Sequence, residues 1–452
     1  MVKTPEEKRW HPRVKANLKI DISKNITGES INLSEGGLSF NSTESLLSPT
    51  ISLQIKFPTT DFKLKTDAKL VWKRDLETGG SSYGMEFVDL TENQKSKLRR
   101  ELIKTQINPL LNEIETQSVR EQISSFFLKD ILNYVNEIIK LSGSLLKEKE
   151  FSEEAEKRLE QLNNQILLKG YCLDELLSNK TIMQNIKEHF RHLVGVWSYK
   201  SVIVKRAYEK PRGYPGDYRM LEIVYDGKPI SKTNNIGFYF DNYFLKSPYA
   251  VAVRIRKDRL REILQQYISD SQINKINILD IACGSCREIK ELLPNLKTNS
   301  SIAFSCLDWD EEALKFSQDV LLSIKPKNVE FKFIKEDVMN IIKDENIVQS
   351  FGVQNLIYSI GLIDYMPDRI LKRLICALYK LLPKSGKLIL THKNREKTFP
   401  PIPPDWFCDW KFVPRNKDEV LKLFYDSGIS GFTLVSDSDD FGYIHYFTIT
   451  KV

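Results

Sequence analysis

Residues 276–287 read INILDIACGSCR, a short apolar run followed by a turn of small residues and the start of a charged segment. The apolar run has the length of a buried strand, and the segment from Arg287 to Leu293 is typical of a helix. Small side chains in the turn between them let the backbone approach a bound ligand closely. Because the same order of strand, turn and helix recurs downstream, this unit decides the fold of the C-terminal half.

Strands and helices alternate regularly through the rest of this half. The predicted strands are 276–281, 303–307, 329–334, 354–358 and 386–391, with helices over 287–293, 311–322 and 369–382. Alternation at this spacing predicts a parallel sheet covered by helices on both faces, with ligands bound at the carboxyl ends of the strands.

An acidic residue stands at or just after the end of each of the first three strands. Asp280 closes the first, Asp308 follows the second and Asp337 follows the third. An acid at the second strand end accepts hydrogen bonds from a ribose. The Asp337 carboxylate, or the amide of Val338, can contact an adenine edge. The three strand ends therefore predict a nucleoside-binding site.

This order resembles the class I S-adenosylmethionine-dependent methyltransferases, in which the three strand ends hold methionine, ribose and adenine in turn. The resemblance covers about residues 270–452 and implies S-adenosylmethionine as cofactor. It also implies that segments 431–435 and 443–451 form the antiparallel strands that end this fold. The cofactor-binding residues that it implies are Asp280, Ala282, Cys283, Gly284, Ser285, Asp308, Trp309, Asp337, Val338 and Ser359.

The turn departs from the family pattern D-x-G-x-G-x-G. Ala282 and Cys286 stand where the first and third glycines are expected. An alternative for Cys283 and Cys286 is a redox dithiol or half of a zinc site. No second cysteine pair and no nearby histidine completes such a ligand set, so we predict a cofactor loop and no metal.

Two motifs near the N-terminus belong to a different kind of site. Arg9 and Arg13 stand four residues apart, and each guanidinium can grip a phosphate with two hydrogen bonds or stack on a purine face. Downstream, residues 32–37 read NLSEGG. On a strand, Asn32 and Ser34 share one face, where their polar groups suit a guanine edge.

The pattern RxxxR followed by N-x-S-x-x-G resembles the PilZ domain, whose members bind cyclic di-GMP. The resemblance extends over residues 5–105, with later strands at 68–74 and 83–90 and a closing helix at 91–102. It implies a six-stranded barrel, with a messenger site made of Arg9, Arg13, Asn32, Ser34 and Gly37. The alternative is that the arginines are surface charges and the two glycines only a hairpin turn.

The segment between these regions is helical. Apolar residues from Phe127 to Leu145 recur at helical spacing, and a second helix is predicted from the N-cap Ser152 to Gly170. The predicted fold class is therefore multidomain, with an N-terminal PilZ-like β-barrel, a helical connector and a C-terminal α/β doubly wound class I methyltransferase fold. The corresponding ranges are 1–105, 106–205 and, with an N-terminal lid segment, 206–452.

The amino-acid composition indicates which kinds of partner and which cellular compartment to expect. The 67 basic and 60 acidic residues leave a net charge of +7 without a dense basic tract, which does not indicate nucleic-acid binding. Six cysteines in apolar surroundings favour a reducing compartment. No uncharged apolar run reaches the roughly 18 residues of a membrane span, and the N-terminus has no apolar signal core. We expect a bacterial cytoplasmic protein whose oligomeric state is open.

Two further motifs concern the methyl acceptor. Residues 213–218 read GYPGDY and residues 358–365 read YSIGLIDY. With the cofactor loop, they resemble bacterial enzymes that make 3-hydroxypalmitic acid methyl ester, a quorum-sensing signal. The resemblance implies acceptor-site roles for Tyr214, Asp217, Asp364 and Tyr365. The alternative for the two tyrosines is packing of a lid.

The sequence thus predicts a cyclic di-GMP-responsive methyltransferase acting on the carboxylate of a 3-hydroxy fatty acid or a similar small acid. A carboxylate is already ionised at neutral pH, whereas a hydroxyl acceptor calls for a base such as histidine. The one candidate near these motifs is His392. Arg212 and Tyr214 are predicted to orient the acid. The rivals are a non-catalytic cyclic di-GMP effector acting by protein contact and a protein carboxyl methyltransferase.

Overall fold

The computed structural model describes residues 11–22, 26–46, 48–57, 60–147, 150–177, 179–398 and 403–452. The chain divides into two compact units. The first comprises Met1–Lys205 and Ser231–Phe240, and the second comprises Arg206–Ile230 and Asp241–Val452. The predicted division of the first unit at residue 105 stays a prediction.

The first unit contains a closed barrel. Its strands are β1 (Val14–Lys15), β2 (Lys19–Ile22), β3 (Ile26–Ser34), β4 (Gly37–Ser42), β5 (Thr50–Lys56), β6 (Lys63–Asp75) and β7 (Ser81–Val88). The order β3-β2-β5-β6-β7-β4 closes because β4 also pairs with β3, and β1 adds to β3 outside this ring. All these pairs are antiparallel. The predicted six-stranded barrel is confirmed, and closure leaves no free edge in the ring.

Helices follow the barrel. They are α1 (Glu92–Asn112), α2 (Gln117–Ser125), a π-helical turn (Phe126–Ile131), α3 (Leu132–Leu145), α4 (Glu153–Leu176), α5 (Lys180–Ser198) and α6 (Val202–Glu209). Ser152 caps α4 as predicted, but the predicted end at Gly170 is wrong. Gly170 is buried in mid-helix, and Leu167 and Leu173 continue the packed face on either side of it. Tertiary packing of that face outweighs the weak helix propensity of glycine.

The second unit is built on a seven-stranded sheet. Its strands are β8 (Lys275–Ile281), β9 (Ser301–Asp308), β10 (Val329–Lys335), β11 (Leu356–Ile360), β12 (Lys387–Lys393), β13 (Phe432–Ser438) and β14 (Ile444–Lys451). The order is β10-β9-β8-β11-β12-β14-β13, with β8 to β12 parallel and β14 antiparallel to both neighbours. Predicted strand types and pairing directions are confirmed, although β11 begins and ends two residues later than expected.

Further helices follow α6, and α8 crosses the boundary between the two units at Phe240. The helices that follow α6 are α7 (Tyr218–Asp226), α8 (Ile236–Lys246), α9 (Pro248–Asp270), α10 (Arg287–Leu292), α11 (Glu311–Ile324), α12 (Val338–Ile341), α13 (Ile347–Phe351), α14 (Asp368–Lys380), α15 (Arg395–Thr398), α16 (Pro403–Cys408) and α17 (Lys417–Tyr425). Adjacent residues Ile278 and Leu279 of β8 belong to two different buried clusters. Since successive side chains point to opposite faces of a strand, the sheet is packed on both faces.

Strand order reverses beside β8, because β9 lies on one side of it and β11 on the other. In open parallel sheets, the crevice at the carboxyl ends of such strands is where ligands bind. This edge carries the end of β8, the end of β9 and, beyond β11, the end of β12. Among the helices of the described residues, none has the length and apolarity to cross a membrane.

Candidate active site and messenger site

The turn between β8 and α10 keeps the backbone of a glycine-rich loop although only Gly284 of the three expected glycines is present. Ala282, Gly284 and Cys286 have φ angles of 58°, 55° and 48°, all in the left-handed region. That region costs a residue with a side chain roughly 1–2 kcal/mol. Cys286 is fully buried in the hydrophobic cluster beneath the loop, so tertiary packing holds the turn in this shape.

Asp308, at the end of β9, ties this loop to the neighbouring strand. Its Oδ2 accepts a hydrogen bond from the Gly284 amide at 2.8 Å, and its Oδ1 accepts one from the Asp310 amide at 2.9 Å. Burial raises the pKa of Asp308 to about 6, although both amides oppose that rise. The carboxylate therefore lies at the loop, with no cation paired to it among the described residues. Its predicted role as ribose acceptor stays a prediction.

Asp280 and the two loop cysteines lie together beneath the turn. Their candidate ligand atoms are all within 4.8 Å of one another, and all three residues are buried. Burial raises the pKa of Asp280, whose Oδ2 has no hydrogen-bond partner among the described residues. The prediction that no metal binds here stays a prediction.

Of the other predicted cofactor residues, the two serines are buried, whereas Trp309 and Asp337 are exposed. Ser359 and Ser285 are buried, and the Ser359 hydroxyl donates to the Ile281 carbonyl at 2.7 Å, which joins β11 to β8. Trp309 is half exposed. Asp337 is exposed and caps α12 by accepting from the Met339 amide.

Val338, the first residue of α12, is partly buried against one of the sheet's two core clusters. Within the described residues, Asp337 and Val338 thus follow β10 on the same sheet edge as Asp308.

The GYPGDY segment lies against the end of β9. Arg212, just before it, forms a two-pronged ion pair with Asp310 and contacts Glu312 at 2.7 Å. The ring of Tyr214 lies 5.5 Å from that of Trp309. The structure therefore brings this segment to the predicted donor site, and the guanidinium of Arg212 is already occupied by carboxylates.

The same segment also reaches the YSIGLIDY motif. A Cβ on Gly216 would lie 2.7 Å from the Trp410 ring and 3.5 Å from the Tyr365 hydroxyl. Trp410 donates its indole N–H to that hydroxyl at 2.9 Å. Asp217 is buried, caps α7 through the Met220 amide and pairs with Arg206. Tyr214 and Tyr365 thus flank one loop, while the Asp217 carboxylate is held by structural partners.

Asp364 is the buried centre of the acceptor-side motif. Its carboxylate accepts from the backbone amide of Lys393 at 2.9 Å and from the Lys393 ammonium at 3.1 Å. The Arg256 Nη1 lies 3.6 Å from it. Burial alone would raise the pKa of Asp364, but the charges of Lys393 and Arg256 and the hydrogen bond from the Lys393 amide hold it below its ordinary value.

His392 has both ring nitrogens engaged. Nδ1 lies 2.6 Å from the Lys393 carbonyl oxygen and therefore carries the proton that it donates. Nε2 lies 3.2 Å from the Arg415 Nη1 and accepts from it. Burial lowers the pKa of His392, which is fully enclosed. This histidine packs and orients its neighbours.

Arg256 and Lys393 are two buried cations that the sequence analysis missed. Lys393 directly follows His392 at the end of β12, so its strand-end position was a usable signal. Arg256 lies within the highly charged helix α9, where nothing in the pattern separates it from exposed neighbours such as Arg259.

In the barrel, the predicted messenger residues come together in part. Arg13 donates from Nη1 to the Asn32 Oδ1 at 3.4 Å, and the Ser34 hydroxyl donates to the Gly37 carbonyl at 3.1 Å. A Cβ on Gly37 would lie 2.0 Å from the Met85 carbonyl oxygen, so glycine is required by the close approach of β7. Arg9 lies outside the described residues.

The NLSEGG turn is anchored to the helices of its unit through Glu35. This buried carboxylate forms a two-pronged ion pair with Arg99 of α1, and Arg99 also donates to Asn136 of α3. On the other side, the His192 Nε2 of α5 lies 2.7 Å from the Arg13 carbonyl oxygen. The candidate messenger site is therefore bonded to α5 through Arg13, to α1 through Glu35 and, by way of Arg99, to α3.

Comparison with known families agrees with this division of the chain. Residues 5–104 match the PilZ domain model. Residues 210–394 match the family described as "Putative methyltransferase". The predictions of a PilZ domain and of a methyltransferase are confirmed, and the second match supports S-adenosylmethionine as the cofactor. No curated protein matches the chain in sequence.

Solved structures are similar at low identity. A possible exported protein from Bordetella parapertussis is 16% identical, with 75% of this chain and 99% of that chain covered and a TM-score of 0.41. Magnesium protoporphyrin IX methyltransferase from Synechocystis PCC 6803 is 14% identical over 45% of this chain and 83% of that chain, with a TM-score of 0.32.

An inhibitor of motility from Bacillus subtilis is 20% identical over 22% of this chain and 52% of that chain, with a TM-score of 0.21. Because these scores are below 0.5, the fold rests on the strand order and the family matches.

Proposed function

We propose that this protein transfers a methyl group from S-adenosylmethionine to the carboxylate of a 3-hydroxy fatty acid or a similar small acid, and that cyclic di-GMP regulates the transfer. The observation that carries the proposal is the left-handed turn at Ala282, Gly284 and Cys286, set beside Asp308 at the carboxyl edge of the sheet. It lies within the segment that matches the methyltransferase family.

The residues around the turn fit the proposed donor. Space around Gly284 is open, since a Cβ there would meet nothing closer than a Leu221 methyl at 3.9 Å. The buried Oδ2 of Asp280 lacks a donor, and an ammonium group on the methionine part would supply one. Asp308 would accept from the ribose, and Asp337 or the Val338 amide would meet the adenine. When bound, S-adenosylmethionine supplies an activated methyl group.

The state of His392 favours an acceptor that needs no base. A hydroxyl acceptor requires proton removal, and a histidine with both nitrogens engaged inside the core cannot provide it. A carboxylate is ionised at neutral pH and requires only positioning for attack on the methyl carbon. As the O–C bond forms, the C–S bond breaks, and S-adenosylhomocysteine leaves with the electron pair.

The aromatic residues beside Asp364 suit an acyl chain. Phe412 lies 5.4 Å from Tyr365 and 5.7 Å from Trp410, measured between ring centroids. The ring of Tyr249 stacks on Phe412 at 5.6 Å. Tyr214, Asp364 and Tyr365 remain the proposed acceptor-side residues, while Asp217 would act by holding the GYPGDY segment through its cap and its ion pair with Arg206.

The contacts of the NLSEGG turn support regulation by the messenger. Binding at Arg13 and Asn32 would act on a turn whose Glu35 is bonded to α1 and, through Arg99, to α3. Coupling between two ligands is reciprocal and typically amounts to about 1–3 kcal/mol. Cyclic di-GMP at saturation should therefore shift donor affinity several-fold.

The decisive experiment uses the full chain with methyl-labelled S-adenosylmethionine and 3-hydroxypalmitate. A base-labile labelled methyl ester is expected. Label on protein would favour a protein carboxyl methyltransferase, and a base-stable ether would contradict a carboxylate acceptor. Donor binding with no transfer to any acid or protein would leave a non-catalytic effector. Repeating the assay with saturating cyclic di-GMP tests regulation, which identical donor affinity and turnover would exclude.

A further inference from the structure

The second unit contains a buried arginine that its own structure does not satisfy. Arg256 of α9 is 3% exposed. Its Nε and Nη1 have no hydrogen-bond partner among the described residues, and Nη1 is 3.6 Å from Asp364, beyond hydrogen-bonding distance. The Tyr225 side chain is hydrogen-bonded to Arg256, but Nε and Nη1 stay unmatched. A buried guanidinium with too few acceptors is costly, because the desolvation of its unpaired N–H groups is not repaid.

Charge around Arg256 is also out of balance. Lys393 is also buried, and both cations face the carboxylate of Asp364, which already accepts two hydrogen bonds from Lys393. Two buried positive charges against one negative charge leave room for one more anion. Burial lowers the pKa of Lys393 to about 8, although Asp364 opposes that shift, so the ammonium remains largely protonated at neutral pH.

Two neighbouring hydroxyls lack partners as well. Thr391 of β12 and Tyr446 of β14 are register partners, and neither side-chain oxygen has a hydrogen-bond partner in the part of the chain described. Tyr446 packs against Ala252, one helical turn before Arg256 on α9. Burial raises the pKa of Tyr446, and the charge of Arg256 opposes that rise, which places the two groups within electrostatic reach.

The end of β11 is shaped to admit this guanidinium. Gly361 has a φ of 93°, and a Cβ there would lie 2.8 Å from the Arg256 Nη1. This glycine directly follows β11 in the YSIGLIDY motif, and β11 pairs with β8, which carries the donor loop at its end. Because Gly361 has no side chain, the guanidinium of Arg256 can lie against its backbone, near the carboxyl ends of the strands.

An apolar wall adjoins the cations. The Lys393 ammonium lies 3.8 Å from the centre of the Phe412 ring, to which Tyr365, Trp410 and Tyr249 are packed. Hence one end of the site is positively charged and the adjacent surface is aromatic. A ligand that matches both has a carboxylate head and an apolar chain.

We propose that Arg256, with Lys393, binds the carboxylate of the methyl acceptor, and that this acceptor is an amphiphilic carboxylic acid. This inference rests on the proposed function, and it replaces Arg212, whose guanidinium is taken by Asp310 and Glu312, as the residue that orients the acid.

The test is calorimetry on the full chain saturated with S-adenosylhomocysteine, with 3-hydroxydecanoate as the probe and its methyl ester and alcohol as neutral analogues. The wild type should bind the acid at least tenfold more tightly than either analogue. Arg256→Met should weaken acid binding by about 10- to 100-fold and remove this preference, as expected for loss of a charge-assisted contact. Arg256→Lys should restore part of it.

Arg259→Met is the matched control, because Arg259 lies on the same helix with its side chain half exposed. It should leave acid binding unchanged. S-adenosylhomocysteine affinity measured on each variant reports whether the donor site has remained intact. Acid binding that is equal in Arg256→Met and the wild type would overturn the proposal, as would a wild type without preference for the acid. If acid binding behaves as expected but no ester forms, the site stands and the proposed methylation fails.

Discussion

Arg99 in the first unit and Arg256 in the second are both almost completely buried arginines, but their surroundings differ. Arg99 forms a two-pronged ion pair with Glu35 and donates to Asn136. Arg256 has one carboxylate at 3.6 Å, a hydrogen bond with the Tyr225 side chain, and two nitrogens without partners among the described residues. A buried charge whose hydrogen bonds are complete is costly to unpair and therefore serves the fold, whereas one left incomplete at a crevice indicates a ligand. Burial alone does not separate structural residues from binding residues.

The largest effect that we expect is on the stability of the first unit when Arg99 is replaced. Arg99→Met would leave the buried Glu35 carboxylate without its cation, and breaking such a pair costs about 3–5 kcal/mol. Urea unfolding of the full chain should show this as an earlier transition of the first unit. Arg100→Met, an exposed neighbour on α1, is the control. Equal midpoints for the two variants would contradict a structural role for Arg99.

Arg13 adds an exposed arginine to the comparison of the buried Arg99 and Arg256. Arg13 is exposed, and its Nη1 donates to the Asn32 Oδ1 at 3.4 Å in the candidate messenger site. Arg13→Ala should therefore weaken cyclic di-GMP binding more than tenfold, which corresponds to about 1.5–3 kcal/mol for a charge-assisted contact, with little effect on unfolding. Lys15→Ala, exposed on β1, should leave affinity unchanged in calorimetry. Unaltered affinity in Arg13→Ala would remove this residue from the messenger site.

The comparison extends to buried carboxylates. Glu35 has a cation, whereas Asp308 has only amide donors, and burial raises its pKa to about 6. If the ionised form accepts the ribose hydroxyls, S-adenosylhomocysteine affinity should fall by about tenfold per pH unit below 6. The unliganded fold should show the opposite trend and lose stability as pH rises from about 4 to 6, because the folded state favours the protonated form.

Calorimetry between pH 5 and 7.5 measures the first trend, and urea unfolding measures the second. Asp308→Asn should show neither dependence. An affinity that is flat across this range in the wild type would mean that Asp308 does not contact the ligand.

The smallest effect expected is at Arg256. Arg256→Met should change the free energy of unfolding by less than about 1 kcal/mol, because Asp364 keeps Lys393 and the lost N–H groups had incomplete hydrogen bonding. Thermal unfolding of the full chain, measured on Arg256→Met and on Arg99→Met, compares the two losses of stability directly. A loss as large as that of Arg99→Met would make Arg256 a structural residue.

Much of the fold was predictable because its signals are local. Alternating buried residues predict the barrel strands, and the recurrence of strand, turn and helix predicts the sheet from β8 to β12. The errors are also local. Gly170 looks like a helix end, but packing on both sides of it carries α4 to Leu176.

The candidate sites were predictable where chemistry coincides with a strand end. Asp280 and Asp308 lie there, and parallel pairing brings their strands to one edge. Ala282 and Cys286 depart from the glycine pattern yet adopt its left-handed conformation, because the buried core beneath them holds the turn. Arg256 was not predictable, since it is one of several arginines on a charged helix.

The sequence by itself determined the kinds of domain, the order of their elements and the residues at the donor loop, because periodicity and strand-end position are properties of neighbouring residues. Only the tertiary structure decided which charges are satisfied. Glu35 pairs with Arg99, Arg212 pairs with Asp310, and two nitrogens of Arg256 stay without a partner in the part of the chain that the structure describes. Those contacts join residues dozens of positions apart, and the balance between desolvation and pairing exists only once the chain has brought them together.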